Sequence, residues 1–288
     1  MTNDRKLWTR LTLLTVWLGM VGWLVVCEAY PHLFLTRAVP GYRALLGDVL
    51  VRDDWMRIDV LGRPAGYSHL AIESGGSSPA AFTTCRHDMQ MELNLLGRPQ
   101  GIGTSLSATL DAWQRLQHFT FRLEAGTFVL FAQARRLQGE QFAVDLQTPA
   151  GRRRFEIGIP DNAVLSAFSE ELAVRGLRPG QSVSLNTFDP ATFTVRPVAI
   201  RALRRETIRI GGTNVATTVL AANIAGMQAL TWVNADGRAV RADTGIGWTF
   251  EACSSREAFA ALHAGKSGPP QDLPRSLTVP FQPPPEAE

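Results

Sequence analysis

The chain has 288 residues and 31.5 kDa, with 45% hydrophobic and 19% charged residues and a mean hydropathy of −0.01. That composition is globular and large enough for a sizeable core, which excludes a disordered, collagen-like or multi-span membrane chain. Lys and Arg number 29 against 26 Asp and Glu, a net +3, so charge gives no case for nucleic acid; three cysteines and five histidines leave little for a metal centre.

Residues 11–27 read LTLLTVWLGMVGWLVVC and carry no charge. As a helix they extend roughly 26 Å, close to the ~30 Å hydrocarbon layer of a bilayer. Arg10 can snorkel to the headgroups and add a turn. Arg5, Lys6 and Arg10 precede the run and Glu28 follows it. The positive-inside rule then gives a cytoplasmic segment 1–10, a transmembrane signal anchor at 11–28, and an extracytoplasmic remainder, periplasmic at a bacterial inner membrane. A cleaved signal peptide is the alternative, although the run exceeds the usual ~7–15-residue apolar region of one. Val26 stands where a lipobox needs a small residue before Cys27, which argues against a lipoprotein.

A connector over 29–53 contains a helical candidate, Gly41–Leu50. From residue 54 the pattern turns to period two. Met56, Ile58 and Val60 alternate with Trp55, Arg57 and Asp59; a turn at 62–66 follows, and Leu70 and Ile72 alternate with His69, Ala71 and Glu73, which together read as a hairpin. The same alternation recurs at Phe119–Leu123, Phe142–Leu146 and Phe155–Ile157. A helix is expected from Asp161 or Asn162 through Val164, Leu165, Phe168 and Leu172 to Gly176. Strands resume at Ser182–Thr187, Phe193–Leu203, Glu206–Ile210, Val215–Ala222, Met227–Val233 and Arg238–Asp243, with Asp236-Gly237 as a hairpin turn. A second helix fits Ser254–His263, capped by Ser254 or Ser255, and 266–288 is a Pro-rich tail expected to be extended and disordered.

The fold class this predicts is mainly β (α+β). About a dozen strands form one large curved antiparallel sheet, an open half-barrel over 54–265, with one or two packed helices, because a sheet that size rarely stays flat.

Little chemistry is visible. Cys85 and His87 fall two apart on a strand, ~6.5–7 Å apart along it, too far for a direct hydrogen bond. His69, His87 and His118 lack metal-ligand spacing. Cys85 and Cys253 can either pair as a disulfide in an oxidising compartment or stand as unrelated buried thiols. The strands are rich in aromatic residues: Phe119, Phe121, Phe131, Phe142 and Trp232 either fill the core or line a cavity for an apolar ligand. No metal or cofactor is expected.

The stretches Trp55–Gly62 and Gly66–Glu73, with Phe188-Asp189-Pro190 and Trp232–Asp243, resemble an extracytoplasmic β domain of bacterial membrane proteins that often precedes a transglutaminase-like domain. Its organisation is similar to the curved sheets of lipoprotein carriers (LolA/LolB-like). The resemblance spans roughly 54–250 and implies a curved sheet around a helix outside the cytoplasmic membrane. The transglutaminase-like part is absent from residues 266–288, and no catalytic residues carry over. The expectation is therefore a non-enzymatic, membrane-anchored periplasmic domain that binds a lipid-like or other apolar ligand. The alternative is an interaction or scaffolding module of an envelope complex, with a transglutaminase-like protein as one conceivable partner.

Overall fold

The computed structural model describes residues 16–17, 20–21, 41–46, 51–75, 82–95, 98–166, 177–224 and 226–267. Among these, fifteen strands make one sheet: β1 (Val51–Val60), β2 (Arg63–Gly75), β3 (Phe82–Leu95), β4 (Arg98–Leu110), β5 (Leu116–Ala125), β6 (Phe128–Arg136), β7 (Gln141–Thr148), β8 (Gly151–Gly158), β9 (Ala163–Leu165), β10 (Ser182–Asp189), β11 (Thr194–Ile210), β12 (Thr213–Ile224), β13 (Met227–Asn234), β14 (Ala239–Asp243) and β15 (Trp248–Ala252). The spatial order is 8-7-6-5-4-3-2-1-15-14-13-12-11-10-9. The chain thus starts at the centre, meanders to one margin, crosses to the other, and returns to lay β15 against β1. Every pairing is antiparallel except β9 with β10. The sheet is open, with β8 and β9 as its margins.

Period-two patterning decides which side chains meet. Leu70, Ile72, Cys85, Leu106, Ala108, Phe119, Phe121, Ala132 and Val144 share one face of the β2–β7 wing by register, and all are buried. They join one cluster with Val183, Leu185, Phe188, Ile200, Ala202 and Leu220 from the opposite wing. Phe119 of β5 and Phe188 of β10 have ring centroids 5.7 Å apart, and Phe155 of β8 meets Phe193 edge-on at 5.2 Å. These strands are remote in the sheet order, so the sheet curls until its two inner faces pack together. Each buried Phe contributes about 1.5–3 kcal/mol of apolar transfer. A second cluster, around Met56, Ile58, Met91 and Phe250, closes the centre; a third, around Val219 and Trp232, lies on the other side of β12 and β13.

Two helices are described besides residues 16–17 and 20–21. The first, α1 (Gly41–Leu46), lies beside β9, and its Tyr42 hydroxyl accepts a hydrogen bond from Leu165 N at 3.0 Å. The second, α2 (Ser255–Ser267), lies on the outer face of β1–β3. Ser254 caps it in a reciprocal box. Its Oγ accepts from Glu257 N at 3.3 Å, and the Glu257 carboxylate accepts from Ser254 N at 2.9 Å. Ala258, Ala261 and Gly265 face the sheet. A Cβ at Gly265 would come within 2.7 Å of Glu92 O and 2.8 Å of Ala65 O, so only a glycine lets the helix approach this closely.

Several expectations are corrected. The separate strands at Phe193–Leu203 and Glu206–Ile210 are one 17-residue strand, β11, whose pairing shifts between Ala202 and Arg204. A bulge there breaks the alternation without ending the strand. The first turn of the helix expected from Asp161 or Asn162 is instead β9: residues 163–165 pair with Asn186–Phe188 of β10, Ser166 is helical, and 167–176 lie outside the described residues. Buried on all sides, this segment takes its conformation from β10 and Tyr42. The connector is shorter than expected, because β1 begins at Val51 and includes Arg52 and Asp53. Segment 11–28 lies outside the description except for Val16, Trp17, Met20 and Val21, which are helical and exposed. Among the described residues no helix is long and apolar enough to cross a membrane. The tail 268–288 also lies outside them.

Candidate functional site

The five aromatic residues expected to line a cavity do not come together. Phe119, Phe121 and Phe142 are buried in the main cluster, Phe119 against Phe188 of the opposite wing, and their rings are taken up by the core. Trp232 belongs to the third cluster, under the Arg241 guanidinium at 5.4 Å. Register separates them: Val233 points into the main core and its neighbour Trp232 points away. Only Phe131 lies at an open surface, on the outer face opposite Arg122 and Gln147.

Cys85 and Cys253 are free thiols, which corrects the disulfide option. Cys85 sits on the inner face among the core residues, where burial pushes its thiol up to about 12. Cys253 follows β15, with its N–H donating to Trp55 O at 3.0 Å. Its thiol is pushed up to about 11, by burial first and the Glu257 charge second. Neither is poised as a nucleophile. His87 does not engage Cys85 but shares a 2.8 Å hydrogen bond with Ser68, both buried in the inner face. The other two histidines lie elsewhere. His118 bonds Gln133 at 3.1 Å, with burial lowering its pKa, and His69 lies on the outer face. No group of three potential metal ligands occurs among the described residues.

The outer face of β1–β7 carries two neighbouring open concavities. One, of about 420 Å³, is lined by Trp55, Tyr67, His69, Asp88, Gln90, Ser105, Arg122 and Glu124, with parts of Met89, Gly103 and Thr104. A second, of about 590 Å³, begins at the same Arg122 and continues over Val129, Phe131, Gln147 and Pro149. Arg122 stands between them, its Nε donating to Glu124 Oε1 at 2.6 Å.

The floor at the α2 end is an aromatic cluster. Trp55 stacks on His69 at 3.9 Å with planes 13° apart, and Phe259 of α2 packs on Trp55 and Tyr67 at 5.4 and 5.2 Å. Asp53 holds His69 Nε2 at 2.5 Å, which fixes the ring over the indole. Burial raises the Tyr67 phenol, and the nearby Asp88 charge adds to this, so it remains a neutral donor at physiological pH. The trough therefore has an apolar patch at each end, Trp55–Tyr67 and Val129–Phe131–Pro149, with hydrogen-bonding and charged groups between. By alternation alone Trp55 and His69 fall on the polar face, where no motif marks them. A tryptophan on a face otherwise made of Arg57 and Asp59 was the available signal.

No family model matches the chain, and no curated protein does. Among solved structures it is similar to a DUF1089 family protein from Pseudomonas aeruginosa, with 11% identity over 67% of this chain and 91% of that one, at a TM-score of 0.28. A likeness this distant carries neither fold nor function across. The resemblance to transglutaminase-associated and lipoprotein-carrier domains stays a reading of short sequence motifs.

Proposed function

We propose that this chain is a non-enzymatic ligand-binding domain, tethered by residues 11–28 to a bacterial inner membrane and facing the periplasm, and that its ligand is an amphiphile. The ligand rests in the outer trough of β1–β7, and the interior is not its site. The observation that supports this is the shared Arg122. It joins two open grooves whose far ends are apolar and whose middle is polar, a pattern that suits a molecule with both characters. The filled inner face argues against a ligand between the wings, because Phe119 and Phe142 are fully enclosed.

An interaction module built on the free margin has less support. Strand β8 carries Arg152, Arg153 and Arg154, and Asp145 pairs with Arg152 and Arg154. Charged side chains on a margin oppose the addition of another strand.

The test is photocrosslinking of the full chain in vesicles that contain a photoactivatable phospholipid, with the adducts mapped by mass spectrometry. Adducts are expected on residues 127–136 and around Tyr67, and Phe131→Ser should reduce the first group about tenfold, the loss of one buried aromatic contact. Adducts confined to residues 11–28 would overturn the reading.

A further inference from the structure

Among the described residues of the body, exposed apolar side chains stand at both ends of the sheet, and the two most exposed, Trp113 and Val51, share one of them. At the end where the chain joins β1, four stand along consecutive strand ends: Val51 at the start of β1 (70% exposed), Phe82 at the start of β3 (47%), Trp113 in the β4–β5 turn (71%) and Leu137 after β6 (47%). The pairings Val51 with Glu73, Gly75 with Phe82, and Thr83 with Leu110 place them on neighbouring strand ends in that order. Adjacent strands lie about 4.8 Å apart, so the row spans the ends of β1–β6 as a rim. The opposite end exposes Leu61, Val195, Ile224 and Met227, all aliphatic and each less exposed than Val51 or Trp113.

The turn that carries Trp113 is firmly built. The Asp111 carboxylate accepts hydrogen bonds from Trp113 N and Arg115 N, both at 2.9 Å, and from Arg115 Nε and Gln117 Nε2, both at 3.0 Å. Gln114 takes a φ of +60°, an uncommon region for a residue with a Cβ. The Arg115 guanidinium lies 5.0 Å over the indole. Four hydrogen bonds to one carboxylate thus present to solvent an indole that fills no part of the core. Tryptophan beside arginine is the pair that settles at the headgroup level of a bilayer, where one side of the ring is wet and the other apolar.

What lies beyond this rim names its partner. The uncharged run 11–27 stands upstream of α1, whose Gly41 lies against Asp161, and Asp161 pairs with Arg136 beside Leu137, so the chain enters the body at this end and not at the Leu61 end. We propose that the rim Val51, Phe82, Trp113 and Leu137 is a membrane-contact surface that seats the domain on the headgroup layer of the bilayer holding residues 11–28. The proposal rests on the tether reading and adds an orientation: strands upright, with the Val129–Phe131–Pro149 end of the outer trough at the turns farthest from the lipid.

The experiment reconstitutes the full chain in phosphatidylcholine vesicles with a minority of phosphatidylglycerol. An environment-sensitive fluorophore is placed at Trp113→Cys or Leu137→Cys, and at Leu61→Cys as the far-end control, in a Cys27→Ser, Cys253→Ser background where buried Cys85 stays unlabelled. Quenching by nitroxide-bearing lipid should be several-fold greater at 113 and 137 than at 61. Vesicle flotation reads the tether separately. A chain that floats but shows equal quenching at both ends overturns the rim and leaves the tether standing; a chain that does not float overturns both.

Discussion

The two faces of the β1–β8 wing are made by the same strands, residue by residue, yet they have opposite physical characters. On the inner face Leu70, Cys85, Leu106, Phe119 and Ala132 are sealed against the other wing. On the outer face Trp55, His69, Asp88, Arg122 and Phe131 stay within reach of solvent and line the trough. A ligand can only use groups that the core does not consume. The aromatic residues most conspicuous in the sequence are therefore the least available, and the informative ones sit where the pattern is polar.

The sharpest way to test this division is to cut one aromatic residue from each face. Phe119→Ala should destabilise the protein by about 3–5 kcal/mol in chemical denaturation, since both wings contact the ring and the cavity cannot collapse. Phe131→Ala should cost under about 1 kcal/mol, in line with an open surface position. Equal losses would erase the distinction.

Gly265→Val tests whether α2 belongs to the outer face as a fixed part. The added carbons collide with the Ala65 and Glu92 backbone, so a loss of about 1–3 kcal/mol is expected. Because Phe259 moves with the helix, Tyr67 and Trp55 should become more exposed, which near-ultraviolet circular dichroism would record. Ser254→Ala, which removes only the cap, should cost about 1 kcal/mol and leave that spectrum unchanged.

The smallest effect concerns the rim. Partial burial of Asp111 works to raise its pKa, but the hydrogen bonds from Arg115 and Trp113 outweigh this and hold it below the ordinary value of 3.8. The folded value is depressed, so its contribution is complete above the unfolded pKa and drains away as pH falls through the folded one. Asp111→Asn should therefore lower stability modestly at neutral pH, lose that effect as the pH falls through the folded value, and so flatten the acid limb of the stability curve below about pH 4. An unchanged acid limb would show that this turn is not held by the carboxylate.

Much of this architecture was legible before any coordinates. The β1–β2 hairpin, the alternation of β5 and β7, the Asp236-Gly237 turn and the Ser254 cap all follow from local rules of pleat, turn and cap, which act over a few residues. The misreadings have non-local causes. Residues 163–165 became β9 because β10 and Tyr42 enclose them, and β11 runs on because a bulge absorbs the break at Leu203. Trp232 left the supposed lining because its strand's face turns away from the main core.

The amino-acid order by itself determined the periodicity: which positions alternate, where turns and caps fall, and that an uncharged run precedes the strands. Only the tertiary structure decided how far the sheet curls, which of its faces is consumed as core, and that Trp55, Tyr67 and Arg122, each from a different element, border one trough. The physical reason is range. Alternation and capping are set by neighbours a few residues apart, whereas closing the wings depends on Phe119 meeting Phe188, a contact between strands that lie far apart in the sheet.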